Sequence, residues 1–361
     1  PSRYRAFFES AVELKSDGTF RIPCLRLNRS REERENYLAT RAFFDANLIQ
    51  RRNSDAEVTQ EHQDVAAALQ ECLERVVLHV CSSFGKQTGL RKLALAGGVS
   101  LNCTANGKLM RSGLFDEIYI QPVAGDDGVA LGAALYRASQ NGHFVNRRMP
   151  APLLGPAYDD ARIQSAFAKY QDRIKVTPLK TLEATCAAAA KLIAEGRVIA
   201  WSRGRMEYGP RALGNRSILA DPGHPEMRDR INAMVKKREA FRPFAPACSL
   251  EQAHTWFEVS EGTELPYMIS IVDVRSEHRA ALPAITHVNG SARLQTVSDR
   301  DNPAFHTLLQ AVGKTTGREM VLNTSFNVKG QPIVNTPEEA VETFLGTGIE
   351  YLFVENFLVA R

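Results

Sequence analysis

The sequence predicts a mixed α/β fold in two domains, and three observations carry that reading. Short apolar runs of strand length alternate with longer segments of helical period, as from Thr59–Phe84 to Leu93–Ala96 and again from 182–195 to Val198–Trp201. A Pro- and Gly-rich break, RRMPAPLLGPAY from Arg147 to Tyr158, divides the chain into residues 1–148 and 149–361. The 361 residues, 44% hydrophobic and 24% charged, are enough for two cores of ordinary globular composition.

In chain order, residues 6–27 read as a hairpin, because AFFESAVEL and TFRIPCLRL flank the turn signal Ser16-Asp17-Gly18. The start in a strand without a polar tail suggests a chain that begins inside a larger fold. Residues 31–53 are charge-dominated and read as one helix plus a polar loop. Val65, Leu69, Cys72, Val76 and Val80 recur on one face of a core helix over 59–84. A strand at 93–96 then runs through Gly97-Gly98 into a helix from about Ser100, and a strand at 118–120 leads through Gly125-Asp126-Asp127-Gly128 into an alanine-rich helix. Beyond the break, helices at 160–170, 182–195 and 225–235 alternate with strands at 174–176 and 198–201 and with a buried strand at Ile218-Leu219. Residues 283–297 read as a hairpin around Asn289-Gly290, and 319–323 as a buried strand ending in the polar stop Thr324-Ser325-Phe326-Asn327.

The formal charge of +4 is small, with acids and bases interleaved, so the sequence as a whole makes no case for a nucleic-acid partner. The six cysteines are scattered without a CxxC pair and read as reduced, mostly buried thiols. No apolar run approaches a membrane span and no export signal pattern opens the chain, which places the protein in the cytoplasm by expectation.

One stretch concentrates anion-binding chemistry. WSRGRMEYGPRALGNRSILAD (201–221) packs Arg203, Arg205, Arg211 and Arg216 among Gly204, Gly209 and Gly214. A guanidinium offers a planar fork of donors to phosphate or carboxylate oxygens, and glycine lets the backbone approach whatever is bound. The Gly97-Gly98 turn, with Asn102 just inside the following helix, presents unpaired N–H groups that suit a phosphate; the same turn also serves tight strand-to-helix packing. Asp126 and Asp127 are helix-capping acids or metal ligands; the eight histidines include no i, i+4 pair to complete a site. Ser325 and Asn327, two apart on an extended segment, point the same way, as one ligand or a plain strand-end turn would require.

GGVSLNCTANG (97–107), GDDGVALGAA (125–134), EYGPRALGNRSILADP (207–222), VKKREAFRPFAP (235–246), THVNGSARLQTV (286–297) and NTSFNVKGQPIVNTPEEA (323–340), in that order over most of the chain, resemble the O-carbamoyltransferases of antibiotic biosynthesis and nodulation-factor modification. The resemblance implies the C-terminal lobe of an actin-like ATPase fold for residues 1–148, similar to threonylcarbamoyl-tRNA transferases. It implies a threonylcarbamoyl-adenylate-synthase-like α/β domain for 149–361, whose KxR and SxN signatures are matched by Lys236-Lys237-Arg238 and Ser325-Phe326-Asn327. The implied chemistry is activation of carbamoyl phosphate with ATP to carbamoyl adenylate, then carbamoyl transfer to a hydroxyl of a small-molecule or oligosaccharide acceptor. Arg211, Lys236, Arg238 and Arg293 would neutralise the phosphates, Ser325 and Asn327 would hold the adenylate, Arg205 would assist, and Gly97, Gly98 and Asn102 would form a nucleotide loop.

Two departures from the family pattern stand out. The family's HxxxH metal-binding helix and its first phosphate loop are absent from these residues, so a divalent ion, Fe(II) by the resemblance, would find Asp126 as its one ligand here. The transfer step would then need a further N-terminal segment, or a second copy, as partner. Asn289 stands where the family often has Asp. A reading of a different class is a non-catalytic module that binds a nucleotide, a carbamoyl group or RNA, since the KxR and SxN pair serves both.

Overall fold

The computed structural model describes residues 2–53, 56–143, 151–236 and 242–361. The chain divides into two compact units, residues 1–95 with 104–119, and residues 96–103 with 120–361.

The first unit contains helix α1 (Ser2–Ala11), strands β1 (Glu13–Leu14) and β2 (Phe20–Arg21), and helices α2 (Arg31–Asn36), α3 (Leu38–Asn47) and α4 (Gln60–Thr88). Strand β3 (Lys92–Leu95) and nearly all of α5 (Cys103–Arg111) and β4 (Glu117–Ile120) complete it. Its core is Tyr4 and Phe8 packed on Ala68 and Cys72. That contact corrects the expected hairpin over 6–27: Tyr4 and Phe8 are one helical turn apart and bury the same face, so the segment before Glu13 is helical. Only Glu13–Leu14 and Phe20–Arg21 pair, antiparallel. The expected single helix after Arg31 is two, broken at Tyr37, whose φ of 53° is left-handed.

The second unit opens with α6 (Val129–Gln140) and α7 (Asp160–Ala168), then β5 (Lys175–Pro178), α8 (Leu182–Ala194), β6 (Ile199–Ser202), β7 (Arg216–Ala220) and α9 (Met227–Ile231). It continues with β8 (Ala245–Ser249), α10 (Ala253–Trp256), β9 (Val272–Asp273), β10 (Ser291–Ala292), β11 (Gln295–Val297) and α11 (Pro303–Thr316). The last elements are β12 (Met320–Ser325), α12 (Pro337–Leu345), β13 (Tyr351–Val354) and β14 (Phe357–Ala360). Eight strands form one mixed sheet in the order β11-β8-β12-β7-β6-β13-β14-β5.

Both faces of this sheet are covered, so its central strands carry unbroken apolar runs, such as Ile199–Trp201, Ile218–Ala220 and Met320–Leu322, that alternate between two cores. Ile199, Trp201, Leu219, Val321 and Phe353 face a cluster with Cys186, Ala189 and Ile193 of α8 and Phe305, Leu308 and Val312 of α11. Ala200, Ile218, Ala220, Leu322 and Leu352 face the other, with Phe167 of α7, Ile231 of α9 and Phe344 of α12. Each fully buried Val, Leu, Ile or Phe side chain of this kind contributes about 1.5–3 kcal/mol.

The register sets up a site at one end of the sheet. Strand β12 runs antiparallel to β7 and β8, with Ser325 opposite Ser217 and Asn323 opposite Ala245, while β11 runs parallel to β8. The end of β12 therefore meets the beginnings of β7, β8 and β11. The expected hairpin over 283–297 does not form. The Asn289-Gly290 turn closes, with His287 N–H donating to the Ser291 carbonyl at 2.8 Å. The chain then pairs elsewhere, Ser291-Ala292 with Val272-Asp273 and Gln295–Val297 with β8, because Leu294 and Ala292 have a core to enter.

Candidate functional site

The arginine-rich loop between β6 and β7 is shaped by a buried carboxylate. Glu207 is 3% exposed, and its Oε1 accepts the backbone N–H groups of Leu213 (2.8 Å), Asn215 (2.8 Å) and Arg216 (3.1 Å). Gly214 sits at φ 106°, and a Cβ there would lie 2.2 Å from the Phe305 ring, so glycine alone fits.

The four arginines take different tasks. Arg216 is buried and donates to the carbonyls of Arg203, Gly204 and Asn215 at 3.2, 3.1 and 2.9 Å, which makes it an internal strut. Arg203 donates to Asn356 Oδ1 at 3.0 Å. Arg205 donates to the Leu154 carbonyl at 2.7 Å and is not among the residues that line the pocket described next. Arg211 lines that pocket, and its Nε is buried without a hydrogen-bond partner. Burial pushes its guanidinium below the ordinary range, against a smaller opposing effect of Cys103.

The pocket has a volume of about 470 Å³ and lies where the sheet register brings the strand ends together. Arg211, Lys236, Arg293, Ser325 and Asn327 all line it, so five of the expected site residues converge. Arg238, expected beside them, lies outside the described residues. Arg242 and Lys329 add two cations that sequence reasoning passed over, and among the described residues no Asp or Glu contributes to the lining. A cavity so lined favours a ligand carrying several negative charges.

Lys236 ends the π-helical turn Asn232–Lys236 that continues α9, and it is 7% exposed. Its Nζ donates to Ser325 Oγ (3.1 Å), the Asn327 carbonyl (3.1 Å), Asn327 Oδ1 (2.7 Å) and the Ser325 carbonyl. Four acceptors exceed the three donors of an ammonium, so at least one bond is shared. Ser325 Oγ also donates to Asn327 Oδ1 at 2.7 Å, and Asn327 Nδ2 to the Gln331 carbonyl at 2.7 Å. The KxR lysine and the SxN pair are thus one bonded cluster.

Opposite in character are His287 and Asn323, which line the same pocket and which sequence reasoning missed. His287 Nε2 and Asn323 Oδ1 are buried without hydrogen-bond partners. Burial, then the charge of Arg293, pushes His287 down to about 4, so the ring is neutral at physiological pH. The only sequence signal for either lay in their motifs, 286–297 and 323–340.

The glycine turn of 97–102 lies elsewhere. Gly97 has φ 98°, its N–H donates to the Ala124 carbonyl at 2.7 Å, and Asn102 closes the 3-10 turn Gly98–Leu101. Gly97, Gly98 and Asn102 do not appear in the pocket lining, although Cys103, next in sequence, does. Asp126 begins the 3-10 turn Asp126–Gly128, and the Tyr208 hydroxyl donates to the neighbouring Asp127 carbonyl. Among the described residues no group of three or more His, Cys, Asp or Glu side chains is arranged to hold a metal. The six cysteines are free, five of them buried and Cys103 partly so. No described helix is long and apolar enough to cross a membrane.

Comparisons with known proteins bear on this geometry. A family model described as carbamoyltransferase N-terminus matches residues 5–135, and one described as carbamoyltransferase C-terminus matches residues 190–361. Nodulation protein NolO of Bradyrhizobium diazoefficiens is 44% identical over 367 residues, covering 100% of this chain and 63% of that protein. Nodulation protein NolNO of Sinorhizobium fredii is 42% identical over 364 residues, covering 100% of this chain and 51% of that protein. The 3'-hydroxymethylcephem-O-carbamoyltransferase of Streptomyces clavuligerus is 36% identical over 250 residues, covering 69% of this chain and 45% of that protein. The chain thus spans between about half and two thirds of the length of the two nodulation proteins.

Proposed function

The chain belongs to the carbamoyltransferase family, and from that premise we propose that residues 149–361 activate carbamoyl phosphate with ATP to carbamoyl adenylate. The observation that supports this most is the convergence of Arg211, Lys236, Arg293, Ser325 and Asn327, from four separate segments, on one cationic pocket. Carbamoyl phosphate, ATP and water balance to carbamoyl adenylate, phosphate and pyrophosphate. Water releases phosphate from the donor, and an oxygen of the resulting carbamate displaces pyrophosphate from the α-phosphorus of ATP. Charge accumulates on phosphoryl oxygens in both steps, so fixed guanidinium and ammonium donors lower the barrier chiefly by electrostatic stabilisation.

Lys236 would take the α-phosphate once a ligand oxygen replaces one of its four acceptors, and the Ser325 and Asn327 side chains released by that exchange would bond the adenylate. Arg211 and Arg293 would hold the phosphate side of the donor. The carbamoyl group would then pass to a hydroxyl of a small-molecule or oligosaccharide acceptor, the class that the names of the relatives suggest. In this reading residues 1–148 belong to an actin-like, metal-dependent transfer domain, and Gly97, Gly98, Asn102 and Asp126 serve there.

The test is carbamoyl-phosphate-dependent exchange of labelled pyrophosphate into ATP by the 361-residue chain. Exchange that appears only with carbamoyl phosphate is the expected result, and absence of exchange together with absence of carbamoyl phosphate binding removes the proposal.

A further inference from the structure

We propose that His287 Nε2 and Asn323 Oδ1 form an acceptor pair that reads the amide nitrogen of the carbamoyl group and so makes the pocket selective for carbamoyl over acyl phosphates. The inference rests on the adenylate reading above. Its starting point is an imbalance of donors and acceptors. Arg211, Lys236, Arg242, Arg293 and Lys329 line the pocket and present only donors. Such a wall suits phosphoryl and carbonyl oxygens, but a carbamoyl NH2 carries two donors and needs acceptors.

Two acceptors are in place, and their bonding leaves each with one orientation. The Ser291 N–H and Ser291 Oγ both reach Asn289 Oδ1, at 3.2 and 2.8 Å, so the hydroxyl proton is committed to Asn289. Ser291 Oγ, 3.2 Å from His287 Nδ1, must then accept, which puts the imidazole proton on Nδ1 and leaves a lone pair on Nε2. The low basicity of this ring keeps that lone pair free among the surrounding cations. The Asn323 amide is set in the same way. Gln295 Nε2 donates to the Leu213 carbonyl at 2.9 Å, which turns Gln295 Oε1 toward Asn323 Nδ2, also at 2.9 Å. The second Asn323 N–H reaches the Ala212 carbonyl at 3.3 Å, and Oδ1 is left over, buried and unbonded. Buried polar atoms in folded proteins are nearly always bonded, so two orphaned acceptors from distant segments in one donor-rich cavity point to a ligand that donates.

Acetyl phosphate tests this directly, because it keeps the phosphate and carbonyl and replaces NH2 by a methyl group of nearly equal size. Sites that hydrogen-bond a substrate N–H reject the analogue lacking it by large factors. Titration calorimetry of the 361-residue chain with carbamoyl phosphate, acetyl phosphate and inorganic phosphate should show carbamoyl phosphate bound at least about 100-fold more tightly than acetyl phosphate. His287→Phe, which keeps a ring but no lone pair, should cut that ratio at least about tenfold while leaving the affinity for inorganic phosphate within about twofold. His287→Gln, which restores an acceptor, should recover part of the ratio. Equal binding of the two acyl phosphates by the wild type, or an unchanged ratio in His287→Phe, overturns the inference and leaves the adenylate reading intact. Failure of the wild type to bind carbamoyl phosphate removes the inference and, together with absent pyrophosphate exchange, the adenylate reading as well. Should His287→Phe fail to fold, the wild-type ratio and the His287→Gln ratio decide the matter alone.

Discussion

The floor and the wall of the pocket differ in how complete their bonding is. Lys236, Ser325 and Asn327 form a cluster in which one ammonium meets four oxygens. Arg211, His287 and Asn323, lining the same cavity, each keep one buried polar atom without a partner. The floor is therefore part of what holds the fold, and a ligand must exchange bonds there. At the wall a ligand supplies bonds that the protein lacks. Stability and binding should be coupled at the floor and separable at the wall.

The strongest way to break this comparison is Lys236→Ala. It should abolish carbamoyl-phosphate-dependent pyrophosphate exchange and also lower stability, since each charge-assisted bond contributes about 1.5–3 kcal/mol. An unchanged melting temperature in denaturation scans would show that the cluster is not structural. Next in size is Glu207→Ala, which strands three backbone N–H groups in the interior at about 1–3 kcal/mol each. A lowered urea midpoint and weaker phosphate affinity are expected together, because the Arg211 loop loses its template; a loss of one without the other would separate loop shape from fold.

Arg211→Ala sharpens the contrast. Catalytic efficiency in pyrophosphate exchange should fall by about 10- to 200-fold, the equivalent of one charge-assisted bond, with the urea midpoint unchanged. A wild-type rate would remove Arg211 from the site. A further effect is on acid stability. His287 folds with its basicity lowered to about 4, so the unfolded chain binds more protons between its ordinary value and 4. Stability is lost as pH falls through that window, up to the order of 3 kcal/mol from this group, and is constant with respect to it above about pH 7. His287→Phe should flatten the fall in urea midpoint between about pH 6.5 and 4, and identical pH profiles would show that the ring is not held neutral.

What the sequence made legible follows from the kind of signal each feature leaves. The alternation of strands and helices in the second unit was readable because a sheet covered on both faces has strands with unbroken apolar runs, such as Ile199–Trp201 and Ile218–Ala220. The first helix was not, because Tyr4, Phe8 and Val12 are a sparse stripe and the Ser16–Gly18 turn drew the flanking residues into a hairpin. The pairing of Ser291-Ala292 with Val272-Asp273 left no local trace, since a turn such as Asn289-Gly290 fixes a reversal but not a partner. In the site, arginines, a lysine and an SxN pair announce anion chemistry by residue type. His287 and Asn323 do not, because an acceptor becomes unusual only when everything around it donates. Composition also overstated the arginine loop: Arg216 is spent on backbone carbonyls and Arg203 on Asn356, and of the loop's four guanidiniums only Arg211 lines the cavity.

The antiparallel neighbours β7 and β12 lie far apart along the chain, and this has a consequence for biosynthesis. Arg211 and Lys236 leave the ribosome well before Ser325 and Asn327, by on the order of 10 seconds at ordinary elongation rates. During that interval the centre of the sheet is an open edge between β7 and β8, because β12 is the strand that bridges them. A nascent chain stopped before β12 lacks the strand that joins β7 to β8 and the acceptors of Lys236. On the proposed function, ligand affinity would thus appear at one late moment of translation, and a prematurely terminated product would carry the arginines without the site.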